Sequence, residues 1–203
     1  MYLHLLSERV IVLQTTFLII ACYTIGNFLT AVIVGKLLYK RDIRALGSGN
    51  TGARNAGKVF GKIGFILTFL GDGAKGAIAI MLAHWAGYDG TMLLVCLFAA
   101  TVGHIFPVFY KFHGGKGIST FLGGVLFYEP FICTIITGIF LVLISLIKNF
   151  TVAGLAAIAT IPFTILMLGR GLDEAAMLLL LVVLICIAHK KDIMAIAKEK
   201  VKM

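Results

Sequence analysis

Two stretches of this chain gather the side chains that could do chemistry. GSGNTGARNAGKVFGK spans residues 47–62, and GHIFPVFYKFHGGKGIST spans 103–120. Both mix glycine with hydroxyls and cations, and the first adds two asparagines. Glycine lets backbone N–H groups approach an anion closely and adopt positive φ. Successive N–H groups can form an anion-binding concavity, and a helix starting just after the loop adds the positive end of its dipole. GGKGIST, residues 114–120, has glycines, one lysine and two hydroxyls ahead of an apolar run, and GSGNTGARNAGK, residues 47–58, offers the same chemistry before the earlier apolar run near 63–83. Two such cradles point to a ligand that carries phosphate, or to two of them.

Nucleotide motifs fit less well. Gly47, Gly49 and Gly52 match G-x-G-x-x-G, but a dinucleotide fold needs a preceding buried strand and a βαβ unit, and here a cationic loop precedes the glycines. Gly52, Gly57 and Lys58 match the start of a P-loop, but Val59 stands where a Mg²⁺-binding hydroxyl is required. Turn-forming glycines alone would not account for the accompanying Ser, Asn, Arg and Lys. His84 and Asp89 fit H-x-x-x-x-D, a pattern used by another acyltransferase class, yet no cationic loop is near them. Asp72 and Lys75, three apart in an apolar run, fall on one helix face and are expected to pair structurally. Cys22, Cys96, Cys133 and Cys186 lie in apolar runs without a C-x-x-C pair and read as small buried hydrophobes. No metal cluster or cofactor box stands out.

The elements that must position these loops are membrane helices. Of 203 residues, 60% are hydrophobic and only 13% charged, about half the charge of an ordinary soluble domain. Spanning helices need about 20 apolar residues, and seven such runs are predicted near 11–38, 63–83, 91–110, 117–129, 131–147, 151–168 and 174–189, the fourth being short. The chain is therefore expected to be all-α, a polytopic integral membrane protein forming one domain over 1–203. The N-terminal run lacks a basic n-region and a cleavage site and is expected to be the first span. With seven spans, the cations between spans 1 and 2 (Lys36 to Lys62), Lys111, Lys116, Lys148 and the tail lysines 190, 191, 198, 200 and 202 share one face, leaving Arg9 and Arg170 opposite. The positive-inside rule then places the N-terminus outside, and the C-terminus and both glycine loops in the cytoplasm. Membrane lipid explains the net charge of +9; no nucleic-acid module and no obligate protein partner is evident.

At these motifs the chain resembles the bacterial membrane glycerol-3-phosphate acyltransferases that use acyl phosphate, the PlsY family. The similarity covers essentially the whole chain. It rests on GSGNTGARNAGK, on the highly specific GHIFPVFYKFHGGKGIST, on DGAKG from Asp72 to Gly76, and on Asp42-Ile43-Arg44. The resemblance departs in three places. Arg54 and Lys58 stand where the family has Thr and Arg. Gly26-Asn27-Phe28-Leu29 stands for Gly-Ser-Ile-Pro. The third motif is degraded to AHKKDIMAI, with Ala188, Asp192 and Ala195 replacing Arg, Asn and Arg. Asp192 would repel a phosphate unless it pairs with Lys190 or Lys191, so the acceptor site is less well kept than the donor site.

The resemblance implies transfer of a fatty acyl group from acyl phosphate to the sn-1 hydroxyl of glycerol 3-phosphate at the inner membrane of a bacterium, without a cofactor. Lys116 with the amides of Gly114, Gly115 and Gly117 would hold one phosphate, and Lys58 with Arg54 the other. Ser48 and Asn50 would orient the hydroxyl or the carbonyl. The base would be His104, His189 or a substrate phosphate oxygen, with a structural hydrogen bond as the competing role for His104. Gly49, Gly52, Asn55, Ser119, Thr120 and Asp192 complete the expected substrate contacts. Alternatives are a paralogue with another acceptor, a small transporter or flippase for an anionic solute or lipid, and an inactive lipid-binding relative. The transporter would carry polar residues through to the far face.

Overall fold

The computed structural model describes residues 2–201, with side chains described for 8–198. Lys202 lies outside the described residues, as does the side chain of Lys200. All regular structure among them is helical: α1 (Tyr2–Gly26), α2 (Thr30–Leu38), α3 (Ala53–Trp85), α4 (Thr91–Ile105), α5 (Ile118–Tyr128), α6 (Pro130–Ile147), α7 (Phe150–Ala159), α8 (Ile161–Met167), α9 (Leu172–Ala188) and α10 (Lys190–Val201). Five stretches are long and apolar enough to cross a membrane. They become six if α9 and α10, bent by 57°, count as one broken span.

The predicted spans change in character. The run 11–38 is two helices parted at Asn27–Leu29. The run 151–168 is α7 and α8, with Pro162 in the first turn of α8. Pro107 follows the end of α4, as a residue that cannot continue a helix should. The fourth predicted span, 117–129, is only the 11-residue α5. At 1.5 Å per residue it is about 16 Å long, roughly half the hydrocarbon thickness. Helix α3 starts at Ala53 rather than near 63, so Lys58 and Lys62 ride on it. Gly61, at φ 74°, breaks it two residues before the predicted membrane run.

Small residues bring the central helices into backbone contact, as is usual where lipid supplies no hydrophobic drive between helices. A Cβ on Gly76 would lie 1.8 Å from the carbonyl oxygen of Thr120, and one on Gly123 would lie 2.1 Å from that of Gly73. The start of α5 is thereby set halfway between the Gly61 break and the end of α3. A large apolar core joins α1, α3, α4, α5, α6, α7, α8 and α9 through fully buried residues such as Leu97, Phe121, Ile161 and Leu181. The outward faces of α1 and α6 stay apolar and exposed, Phe17 and Leu146 among them, as lipid-facing surfaces require.

Candidate active site

One end of the bundle gathers the glycine loops. The first loop is ordered by a single side chain. Asn55, in the first turn of α3, accepts from the Ser48 amide (3.0 Å) and donates to the carbonyls of Leu46 (3.0 Å) and Asn50 (2.9 Å). It is buried, so its amide group scaffolds the loop rather than facing a ligand. Ser48 is exposed, Gly49 and Asn50 are half-buried, and Gly52 caps α3 with extended backbone. Before the loop, Asp42 accepts from the Arg44 amide and pairs with its guanidinium at 2.6 Å, and that guanidinium holds the Asp42 carboxyl down to about 2.

The second loop is held by tertiary structure. The Gly114 and Gly115 amides donate to the carbonyls of Ile105 and His104 at 3.2 and 3.1 Å. These bonds satisfy carbonyls that α4 leaves without partners at its C-terminus. Both amides, expected from the sequence to hold a phosphate, are engaged within the protein. Gly117, at φ 83°, turns the chain into α5. The amides of Ile118, Ser119 and Thr120 form the first turn of that helix, where no intrahelical acceptor exists. Ser119 is half-buried, and Thr120 is fully buried against α3.

His104 also takes another place than a phosphate contact. Its ring is buried, and its Nδ1 lies 2.9 Å from the Lys75 ammonium, which can only donate, so Nδ1 accepts. Lys75 further donates to the carbonyls of Phe28 (2.8 Å) and Gly26 (3.3 Å) in the α1–α2 break and pairs with Asp72 at 2.9 Å. The expected Asp72–Lys75 pairing is present. A Cβ on Gly115 would stand 2.0 Å from His104 Nε2. The Asp72–Lys75–His104 node is thus the floor under the GGKG turn.

Above that floor lies an open cluster. Lys116 is half-buried and pairs with Asp192 of α10. That pairing replaces the expected one with Lys190 or Lys191. His189, at the α9–α10 bend, is buried and lies within electrostatic reach of Lys116, Asp192 and Arg54. Its Nδ1 is 2.8 Å from the Ile185 carbonyl. A carbonyl can only accept, so Nδ1 carries the proton and Nε2 keeps a lone pair. Arg54 donates to Thr151 Oγ1 at 2.7 Å and lies over the Phe150 ring. Lys58, one turn further along α3, is exposed. The sequence reading missed Thr151 and Phe150. The signal was available in Asn149, whose side chain caps α7 by accepting from Val152, next to Lys148.

At the opposite end His84 and Asp89 meet at 3.3 Å, both well exposed, in a shallow pocket that also holds Tyr128 and Arg170. Among the described residues no group of three or more His, Cys, Asp or Glu could hold a metal.

Residues 16–199 match the family model described as glycerol-3-phosphate acyltransferase. A glycerol-3-phosphate acyltransferase 1 from Bacillus cereus is 43% identical over 173 residues, 85% of this chain and 95% of the relative. Its counterpart from Desulfitobacterium hafniense is 41% identical over 177 residues, 87% and 88% of the two chains. Among solved structures, PlsY (YgiH), an integral membrane glycerol 3-phosphate acyltransferase, superposes in its glycerol 3-phosphate form with TM-score 0.83 at 28% identity. The alignment covers 92% of this chain and 93% of that one. The lysophosphatidic acid form of that protein superposes with TM-score 0.82.

Proposed function

The chain belongs to the glycerol-3-phosphate acyltransferase family, and from that membership we propose its reaction. It transfers a fatty acyl group from acyl phosphate to the sn-1 hydroxyl of glycerol 3-phosphate, giving lysophosphatidic acid and inorganic phosphate. The observation that carries this reading is the convergence of Lys116, Arg54 and His189 from three distant segments at one end of the bundle.

Acyl phosphate already contains a good leaving group. The protein therefore needs to align the hydroxyl with the carbonyl and to balance charge on the departing phosphate. Lys116, with the first-turn amides of α5, supplies charge to one phosphate; Arg54 and Lys58 supply it to the other. Ser48 and Asn50, on the loop that Asn55 holds, orient the reacting groups. The hydroxyl adds to the carbonyl carbon, the C–O bond to phosphate breaks, and the hydroxyl proton passes to His189 Nε2 or to the departing phosphate. The lone pair left on Nε2 supports His189 as that base. The acyl chain lies among the apolar helices and enters sideways from the bilayer.

The cation distribution supports an orientation with this end in the cytoplasm of a bacterial inner membrane. The test uses purified protein in lipid, following phosphate release from palmitoyl phosphate. Release that depends on glycerol 3-phosphate, forms lysophosphatidic acid and disappears in Lys116→Ala is the expected result. Absence of release from folded protein would overturn the reading.

A further inference from the structure

Lys116 is paired within the protein. Its partner, Asp192, belongs to α10, an element with little hold on the rest of the bundle. From Lys190 to Lys198 the side chains are exposed or half-exposed, and none is buried. Helix α10 meets α9 at a 57° bend at His189. The Lys116–Asp192 pair is itself partly open, with side-chain exposures of 28% and 34%. A phosphate seated on Lys116 must take the place that the Asp192 carboxylate oxygen now holds.

We propose that Asp192 is an internal anionic ligand of Lys116 that phosphate must displace, and so a determinant of phosphate affinity at this site. The proposal rests on the reading of Lys116 as a phosphate-binding residue. Exchange is feasible because no core packing has to be broken to release Asp192. The pair neutralises Lys116. A ligand carrying two negative charges competes with a single carboxylate, whereas a singly charged one does so poorly. The same competition acts after turnover: Asp192 returning to Lys116 helps to expel inorganic phosphate, which weakens product inhibition.

The test is direct binding of inorganic phosphate to the full chain in lipid, beside the KM for each substrate. Asp192→Asn, which keeps size and shape, should bind inorganic phosphate about three- to tenfold more tightly, matching the modest strength of a half-exposed pair. The KM for the substrate held at Lys116 should fall in parallel. Asp173→Asn removes a carboxylate at the opposite end, where it accepts a hydrogen bond from Thr91, and should change neither value. In a Lys116→Gln background, Asp192→Asn should lose its effect. Unchanged or weaker phosphate binding in folded Asp192→Asn, or an equal gain from Asp173→Asn, would overturn the proposal. The binding measurement is independent of turnover. A wild-type protein that fails to release phosphate from palmitoyl phosphate would sink the acyl-transfer reading, while the binding comparison would still decide the role of Asp192.

Discussion

The molecule holds the same three side-chain types twice, within one loop of each other. Asp72, Lys75 and His104 form one group; Asp192, Lys116 and His189 lie in the other. In the first, every member is buried, and Lys75 faces two carbonyls, a carboxylate and a ring nitrogen. In the second, Lys116 and Asp192 are part-exposed, and the histidine keeps a lone pair on Nε2. Composition therefore does not decide which group is structural. What decides it is whether each donor and acceptor already has a partner that cannot leave. Backbone carbonyls in a helix break cannot leave, whereas a carboxylate on a loosely held helix can.

The contrast can be broken most forcefully at Lys75. Lys75→Met leaves the Asp72 charge buried and unpaired, which costs about 3–5 kcal/mol. Denaturant unfolding in detergent should read that loss, and Asp72→Leu added to Lys75→Met should recover part of it. The matching change in the open group, Lys116→Ala, should move stability by less than about 1 kcal/mol and lower the turnover rate about 10²–10³-fold. If the two lysines exchanged these phenotypes, the assignment of closed and open groups would be wrong.

Asn55→Ala sharpens the difference between the loops. It takes the partner from the Ser48 amide and one donor each from the carbonyls of Asn50 and Leu46, the latter keeping the Gly49 amide, at about 1–3 kcal/mol. It should alter kinetics through Ser48 and Asn50 while amide exchange at Gly114 and Gly115 stays unchanged. The smallest effect belongs to Asp42. Its carboxyl sits at about 2, below the usual value of about 3.9. Its contribution is present above the unfolded value and is lost as pH falls through about 2. Because the pair with Arg44 is partly exposed, screening keeps that contribution to a few tenths of a kcal/mol. Asp42→Asn should slightly flatten the acid limb of a stability profile measured below pH 4.

The sequence by itself determined the class, the family and the loops. Long apolar runs with few charges permit only a membrane helical fold, and the glycine–cation motifs single out the two loops. It also placed Asp72 and Lys75 on one face, because i and i+3 meet on any helix. The tertiary structure decided how those groups are used. Hydropathy alone did not separate α1 from α2: within the break a single polar residue, Asn27, interrupts the apolar run, and the carbonyl of Phe28 there is held by Lys75, 47 residues away along the chain. The amides of Gly114 and Gly115 looked available until α4 ended beside them. His104 and His189 both stand at helix ends in the sequence. Only the partner each one meets, an ammonium for one and a carbonyl for the other, fixes which histidine keeps the lone pair for chemistry.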